Sequence, residues 1–339
     1  MMANSIINPS LKYFLSHSIH SLRIQWTGSA SALGTGLLVY VVTTLLVKDE
    51  IHWLSYSTLL DPWCWLLSCV CTLISFLHPD YRYTLAVLPF SGMLIYTILL
   101  FPQAITHLPS AAALPQTDTN LTLLTWNILG GRANQACLLQ VLHTHQPDVV
   151  MFQEAGGFTM EAAPSYRYQT RSGNLVILSK FQIVKSVEFG RHPRNGHDVG
   201  LQAQLRLEGV ERPLTLINTY LPKPFVVPSQ LIYEADDRIA GAERYVRAVE
   251  QAAGAVILAG DHNMGMRAPE YRLLNQFLLD TWAERGRGWG FTANHHPQIP
   301  PLVRVDYIWH SVDLQANWIE VVRADCGDHY AVMAGFRVE

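Results

Sequence analysis

Residues 256–263 read Val-Ile-Leu-Ala-Gly-Asp-His-Asn: four apolar residues that fit a buried strand, then Gly260-Asp261, where the strand stops. The same pattern recurs on both sides. The run 121–126 is a short β-type stretch ending at Asn127, and 148–152 ends at Gln153-Glu154. The run 214–220 closes on Tyr220, and Asp328-His329 stand just before the last apolar run, 331–338. Further strands are read at 174–179, 199–207, 305–309 and 317–322. Helical periodicity falls between strands, at 134–146 with Asn134 as its cap, at 229–253 and at 269–279. Strands outnumber helices and the helices are interleaved. That predicts an α/β sandwich of two sheets packed face to face with helices outside. Polar residues at strand ends are where a rigid scaffold aims side chains into one cleft.

The 339 residues carry a formal net charge of −3, but the chain has two unlike parts. Residues 1–117 hold eight charges: Lys12, Arg23, Lys48, Arg82, Asp49, Glu50, Asp61 and Asp80. The other 43 of the 51 lie in 118–339, an ordinary density for a soluble domain. Uncharged apolar stretches at about 28–47, 59–77 and 83–101 suit three transmembrane helices, since a bilayer core needs roughly 20 apolar residues. Trp53, Trp63, Trp65, Tyr81 and Tyr83 sit near span ends, where amphipathic rings favour the headgroups. Lys12, Arg23 and Arg82 on one side against Lys48 on the other put the N-terminus in the cytoplasm and the domain after residue 101 outside it. The expected organisation is a membrane region over 1–101, a Pro- and Ala-rich linker over 102–120, and a catalytic domain over 121–339. Cys137 and Cys326 are read as unpaired, partly buried thiols, pairing being open only in an oxidising compartment.

The runs TWNILGG, PDVVMFQE, GNLVILSKFQI, INTYLP, VILAGDHN, RVDYI and GDHYAV, in that order, resemble the endonuclease/exonuclease/phosphatase superfamily. Its fold is that of deoxyribonuclease I, the abasic-site endonucleases, the inositol polyphosphate 5-phosphatases and the neutral sphingomyelinases. The resemblance covers 121 to about 338. With three preceding spans, the chain looks like the small membrane-anchored bacterial members.

Hydrolysing a phosphoester requires neutralising phosphoryl oxygens, activating a water and stabilising the leaving oxygen. A hard divalent cation, Mg²⁺ or Mn²⁺, suits the first and third tasks and prefers carboxylate oxygens. Glu154 is the first candidate ligand, Asn127 offers an amide oxygen nearby, and Asp328 is a further acidic contributor. The resemblance makes Glu154 the metal anchor with Asn127 in support. It makes Asp261 the group that orients or deprotonates the attacking water. Asn263, two residues on and able to point the same way, would donate to a phosphate oxygen or hold the nucleophile. His329 is the acid/base that works near neutral pH, and Asp306 would fix its tautomer. Tyr220 stands where many members have His; INTYLP resembles the abasic-site branch, and its hydroxyl would donate to phosphate. His262 is read as family variation, and Arg171 and Asn174 as candidate substrate-binding residues lining the cleft. His295-His296 lack a carboxylate or Cys at ligand spacing and are set aside as a zinc site.

Three functions follow: a membrane-proximal phosphoesterase acting on a lipid-linked phosphate, pyrophosphate or phosphodiester; an extracytoplasmic nuclease; or a non-catalytic binding module on the same fold. Duplex nucleic-acid binders usually present a basic face, whereas residues 118–339 are net acidic. An anchor also raises the effective concentration of lipid substrates. The bilayer and a lipid-linked phosphate are therefore the expected partners, with no obligate protein partner.

Overall fold

A computed structural model of the chain describes residues 9–47, 54, 57–78, 80–105, 119–129, 134–189, 200–223, 225–226, 232–233, 235–293 and 300–339. The chain divides into two units, an N-terminal helical one and a larger one that contains all the strands. Of the linker read over 102–120, residues 106–118 lie outside the described residues, as do His295 and His296.

The helical unit consists of α1 (Pro9–Val47), α2 (Asp61–Ser75) and α3 (Arg82–Ile105). Segments Ser16–Val47, Thr58–Ser75 and Arg82–Leu100 are each long and apolar enough to cross a membrane. Helix α1 starts well before the span read at 28–47, because nothing in 9–27 breaks a helix. Large apolar side chains face outward: Trp26, Leu46, Leu73 and Ile98 are all more than 60% exposed. A water-soluble helical hairpin would bury such residues, whereas a helix in lipid leaves them outside. Polar groups turn inward instead. The Ser31 hydroxyl donates to the Leu85 carbonyl at 2.7 Å, and Trp65 Nε1 donates to Thr97 Oγ1 at 2.9 Å.

The second unit is the α/β sandwich expected from the alternating elements. One sheet is ordered β13-β14-β1-β2-β4-β3, from β1 (Leu121–Asn127), β2 (Val149–Gln153), β3 (Tyr168–Ser172), β4 (Leu175–Ser179), β13 (Gln315–Val322) and β14 (Ala331–Arg337). The other is ordered β11-β12-β10-β7-β6-β5, from β5 (Gln182–Glu188), β6 (Gly200–Arg206), β7 (Leu214–Tyr220), β10 (Val256–Asp261), β11 (Leu279–Asp280) and β12 (Asp306–His310). A small hairpin, β8 (Phe225–Val226) with β9 (Ile232–Tyr233), stands apart. Both sheets are mixed: β1–β2 and β7–β10 are parallel, and the other pairs are antiparallel.

Side-chain alternation along the strands builds three apolar layers. Leu123, Met151, Leu216, Ile257, Ile308 and Ala334 fill the space between the sheets. Leu124, Trp126, Val150 and Phe152 pack outward against α4 (Gln135–His145). Ile217, Leu258, Tyr307 and Trp309 pack outward with α5 (Ala235–Glu250) and α6 (Pro269–Leu274). Helix α4 begins where the sequence placed its cap: the Asn134 side chain accepts from the Ala136 and Cys137 amides. It ends at Gln146 in the left-handed conformation, with His143 and His145 in its last turn.

One expectation is corrected. Cys137 and Cys326 are joined in a disulfide, with their Cα atoms 5.7 Å apart. The fold lays the first turn of α4 against the β13–β14 connection, where the Asn134 amide also donates to the Cys326 carbonyl at 3.2 Å. Two thiols 189 residues apart in sequence are thereby brought within bonding distance.

Gly260 is fixed by the close pairing of β10 with β7. Its φ is +155°, and a Cβ there would lie 1.9 Å from the Thr219 carbonyl oxygen, a backbone atom that cannot swing away. Gly260→Ala is expected to cost about 3 kcal/mol and to displace Asp261, read as a fall in thermal midpoint.

Candidate active site

Strand alternation that fills the core also assembles the polar cluster. Ile257 and Ala259 point between the sheets, so Asp261, two residues further, does too. The same parity carries Leu216 to Tyr220 on β7, Leu123 to Asn127 on β1, and Ile308 back to Asp306 on β12. Register then brings these ends together. Asp261 is paired with Tyr220 on one side and with Asp306 on the other. In the opposite sheet Asn127 is paired with Gln153.

Asn127 crosses the gap between the sheets. Its Nδ2 donates to Asp261 Oδ2 at 2.9 Å and to Glu154 Oε1 at 3.0 Å, while its Oδ1 accepts from the Leu129 amide. The sequence reading expected an oxygen ligand from Asn127. The structure instead turns its amide nitrogen inward, since an N–H₂ group is the partner that two acceptor-only carboxylates require. Glu154 lies one residue beyond Gln153 and by parity would face away. Its φ of +50° reverses that and delivers the carboxylate to Asn127. Asn263 also has a positive φ, +45°. Its Nδ2 donates to Asp261 Oδ2 and to the Leu221 carbonyl, and its backbone N–H donates to Asp261 Oδ1. Both amide hydrogens of Asn263 are thus spent on fixing Asp261 and a neighbouring backbone.

His329 Nδ1 lies 2.8 Å from Asp306 Oδ2, and its Nε2 is 4.0 Å from Asp261 Oδ2. Trp126 Nε1 donates to the His329 carbonyl at 2.9 Å and so pins its backbone. Ligating atoms of Asp261, Asp306 and His329 all lie within 4.8 Å of one another, and all three residues are buried. The Tyr220 hydroxyl is hydrogen-bonded to Glu154.

Burial controls the protonation states. It penalises the Asp261 carboxylate, and with the Asp306 charge it outweighs His329 and Asn127, pushing Asp261 up to about 7. For His329 burial alone would lower the pKa. The Asp306 charge and hydrogen bond, with Asp261 behind them, prevail and raise it to about 9. Burial raises the Tyr220 phenol far above its ordinary value, helped by the Glu154 and Asp261 charges, so it stays a hydroxyl donor. At neutral pH the cluster therefore holds a charged imidazole beside a carboxylate poised to take a proton.

The donor set fits a divalent cation. Asp261, Asp306 and His329 bring ligating atoms within 4.8 Å of one another, Glu154 joins Asp261 through Asn127, and the buried Asp306 Oδ1 and Asp328 Oδ1 have no hydrogen-bond partner among the described residues. Such orphaned carboxylate oxygens are costly unless a cation or water meets them.

The remaining candidates make other contacts. Arg171 donates to the Ala155 and Phe158 carbonyls, and the Asn174 carbonyl accepts from the Ala155 amide. Both brace the loop that follows Glu154. His262 points to the outer face, against Tyr245 and Tyr307, with Nε2 2.9 Å from Thr219 Oγ1. Burial, and then Arg238 and Arg304, push it down to about 3, so it is a neutral core residue.

Two groups escaped the sequence reading. Gln153 Nε2 donates to Asn218 Oδ1 at 2.8 Å, and Asn218 Nδ2 donates to the Phe152 and Val176 carbonyls, which ties the two sheets together beneath the site. A polar residue inside the apolar run LTLINTY was the available signal for Asn218. The other is Arg238, which looked like one more charge on an amphipathic helix.

The sequence profile of the Endonuclease/Exonuclease/phosphatase family matches residues 124–329. Solved structures share the fold. An endonuclease/exonuclease/phosphatase from Bacteroides vulgatus is 15% identical with a TM-score of 0.52, covering 65% of this chain and 99% of its own. Humanized D. rerio TDP2 is 19% identical with a TM-score of 0.51, covering 64% and 98%. An AP endonuclease from Archaeoglobus fulgidus is 17% identical with a TM-score of 0.50, covering 64% and 100%. At these identities the likeness is one of fold. No curated protein matches the chain.

Proposed function

The chain belongs to the Endonuclease/Exonuclease/phosphatase family of phosphoester hydrolases, and from that premise we propose that it is a membrane-anchored, Mg²⁺-dependent phosphoesterase acting outside the cytoplasm on a lipid-linked phosphate. The observation that carries the catalytic part is the convergence of Asp261, Asp306 and His329 with Glu154 around one gap between the sheets. A binding module has no need of a buried acid/base pair flanked by orphaned carboxylate oxygens.

In this reading Glu154 would hold the cation, Mg²⁺ or Mn²⁺, with Asp328 contributing and Asn127 steadying the Glu154 carboxylate. When bound, such an ion would supply charge neutralisation at the phosphoryl and leaving oxygens. Asp261, fixed by Asn127 and Asn263, orients a water and accepts its proton as the water oxygen bonds to phosphorus. Tyr220 donates its hydroxyl to a phosphate oxygen. His329, kept protonated by Asp306, gives its proton to the leaving oxygen as the phosphorus–oxygen bond breaks. Arg171 and Asn174 support the substrate side through the loop after Glu154.

Three apolar helices support the anchor, and their exposed large side chains suit a lipid surround. The excess of Lys and Arg on the N-terminal side supports a cytoplasmic N-terminus. A disulfide supports an oxidising compartment for the catalytic unit. The net acidic composition of 118–339 favours a lipid-linked phosphate over duplex nucleic acid.

The test is the full-length chain in detergent micelles with Mg²⁺, offered a polyprenyl diphosphate, phospholipid vesicles, DNA and bis-p-nitrophenyl phosphate. Chelator-sensitive hydrolysis of a lipid substrate is expected. Glu154→Gln should lower it about a thousandfold, equivalent to about 4 kcal/mol of transition-state stabilisation. Cleavage of DNA with no lipid cleaved overturns the substrate class, and unchanged hydrolysis by Glu154→Gln overturns the mechanism.

A further inference from the structure

Arg238 engages four acceptors with one guanidinium, and no step of the proposed chemistry uses it. It sits on α5, 1% exposed, behind the sheet rather than in the cleft. Its Nε donates to Glu270 Oε1 on α6 at 2.7 Å. Its Nη1 donates to the Pro222 carbonyl, and its Nη2 donates to the His262 and Asn263 carbonyls at 2.9 and 3.1 Å. One guanidinium therefore ties together two loops. The first leaves β7 just after Tyr220, and the second leaves β10 through Asp261 and Asn263. Only Arg has the planar, many-donor fork needed for one carboxylate and three carbonyls at once.

The second loop needs such a tie. Asn263 holds Asp261 from a left-handed conformation that a non-glycine residue adopts at a cost. Fastening the His262 and Asn263 carbonyls, which flank the Asn263 Cα, leaves that conformation little freedom to relax. Tyr245 adds a third tie from the same helix, donating its hydroxyl to the Tyr220 carbonyl at 3.1 Å.

We propose that Arg238, held in place by Glu270, is a positioning residue that sets the geometry of Asp261, Asn263 and Tyr220 from behind the sheet. The inference rests on the hydrolytic reading of the site given above. A positioning defect acts on the chemical step, because displacement by about 1 Å costs about a hundredfold in rate.

Removing Arg238 alone would strand the Glu270 carboxylate in the interior, so Arg238→Met is made together with Glu270→Met, which replaces the buried pair by apolar volume. Arg238→Lys keeps the charge and at most part of the fork. In the full-length protein with bis-p-nitrophenyl phosphate and Mg²⁺, the double variant should lose about a hundredfold in kcat with KM within threefold of wild type. Arg238→Lys should recover about tenfold of that loss. Amide hydrogen exchange should accelerate locally at Leu221, Lys223 and 261–264 in both. Wild-type kcat in a folded double variant, or exchange rising evenly over the whole unit, overturns the proposal. If either variant fails to fold, the other carries both measurements. If wild type hydrolyses nothing, the hydrolytic reading has failed on its own, and the exchange pattern still decides whether Arg238 fixes these loops.

Discussion

His329→Ala is expected to lower kcat by about three orders of magnitude, measured well below a thermal midpoint that also falls, because buried Asp306 loses its partner. A positioned acid/base contributes about 10²- to 10⁴-fold, and this imidazole also places positive charge where negative charge develops. Asp306→Asn separates the two contributions. The imidazole remains, but its anionic partner at 2.8 Å is gone. Activity should follow pH with two limbs. Below about 7 Asp261 takes up a proton and can no longer accept one from water, and above about 9 His329 loses the proton it must give. Asp306 is the main cause of the raised His329 pKa and also helps to raise Asp261, so Asp306→Asn moves the alkaline limb to lower pH and lets the acid limb, still set by Asp261, move down as well. A pH–rate profile of wild type and Asp306→Asn checks both. An alkaline limb that stays put would show that His329 is not the group that titrates there.

Loss of the Cys137–Cys326 bond should be the largest single stability effect outside the core. The bridge closes a loop of about 190 residues, and removal of such a crosslink costs about 3–5 kcal/mol. For a unit of this size that is a fall of about 10 °C in thermal midpoint. Either single Ser variant removes the whole crosslink, so Cys137→Ser, Cys326→Ser and the pair should melt alike rather than additively. A reductant should bring wild type down to the same midpoint and leave the variants where they are. The bond also lies two residues before Asp328 and three before His329, so reduction is expected to depress kcat before the unit unfolds. Calorimetry of the full-length protein with and without reductant reads the first effect, and initial rates below the transition read the second.

Much of this was legible because strand parity is a sequence property. Once 121–127, 214–220 and 256–261 are strands, the alternation that buries Leu123, Leu216 and Ile257 also aligns Asn127, Tyr220 and Asp261. Strands β3 and β5 were missed because they are sheet edges. Gln182–Glu188 is exposed along nearly its whole length, so no apolar alternation marks it. The Glu154 reversal was hidden because a left-handed φ in a non-glycine residue has no compositional sign. Arg238 was hidden because a buried guanidinium and a solvated one look the same in a helical pattern. Pairing of Cys137 with Cys326 depends on a distance of 5.7 Å that only the folded chain creates.

Glu154 and Asn263 share one property: each occupies backbone space that glycine would fill without strain. At both places the change that would relax the chain is the change that removes a working side chain. Selection for robustness and selection for turnover therefore pull these two codons in opposite directions, and a lineage freed from the need to hydrolyse anything would be expected to lose its carboxylate and its amide there first.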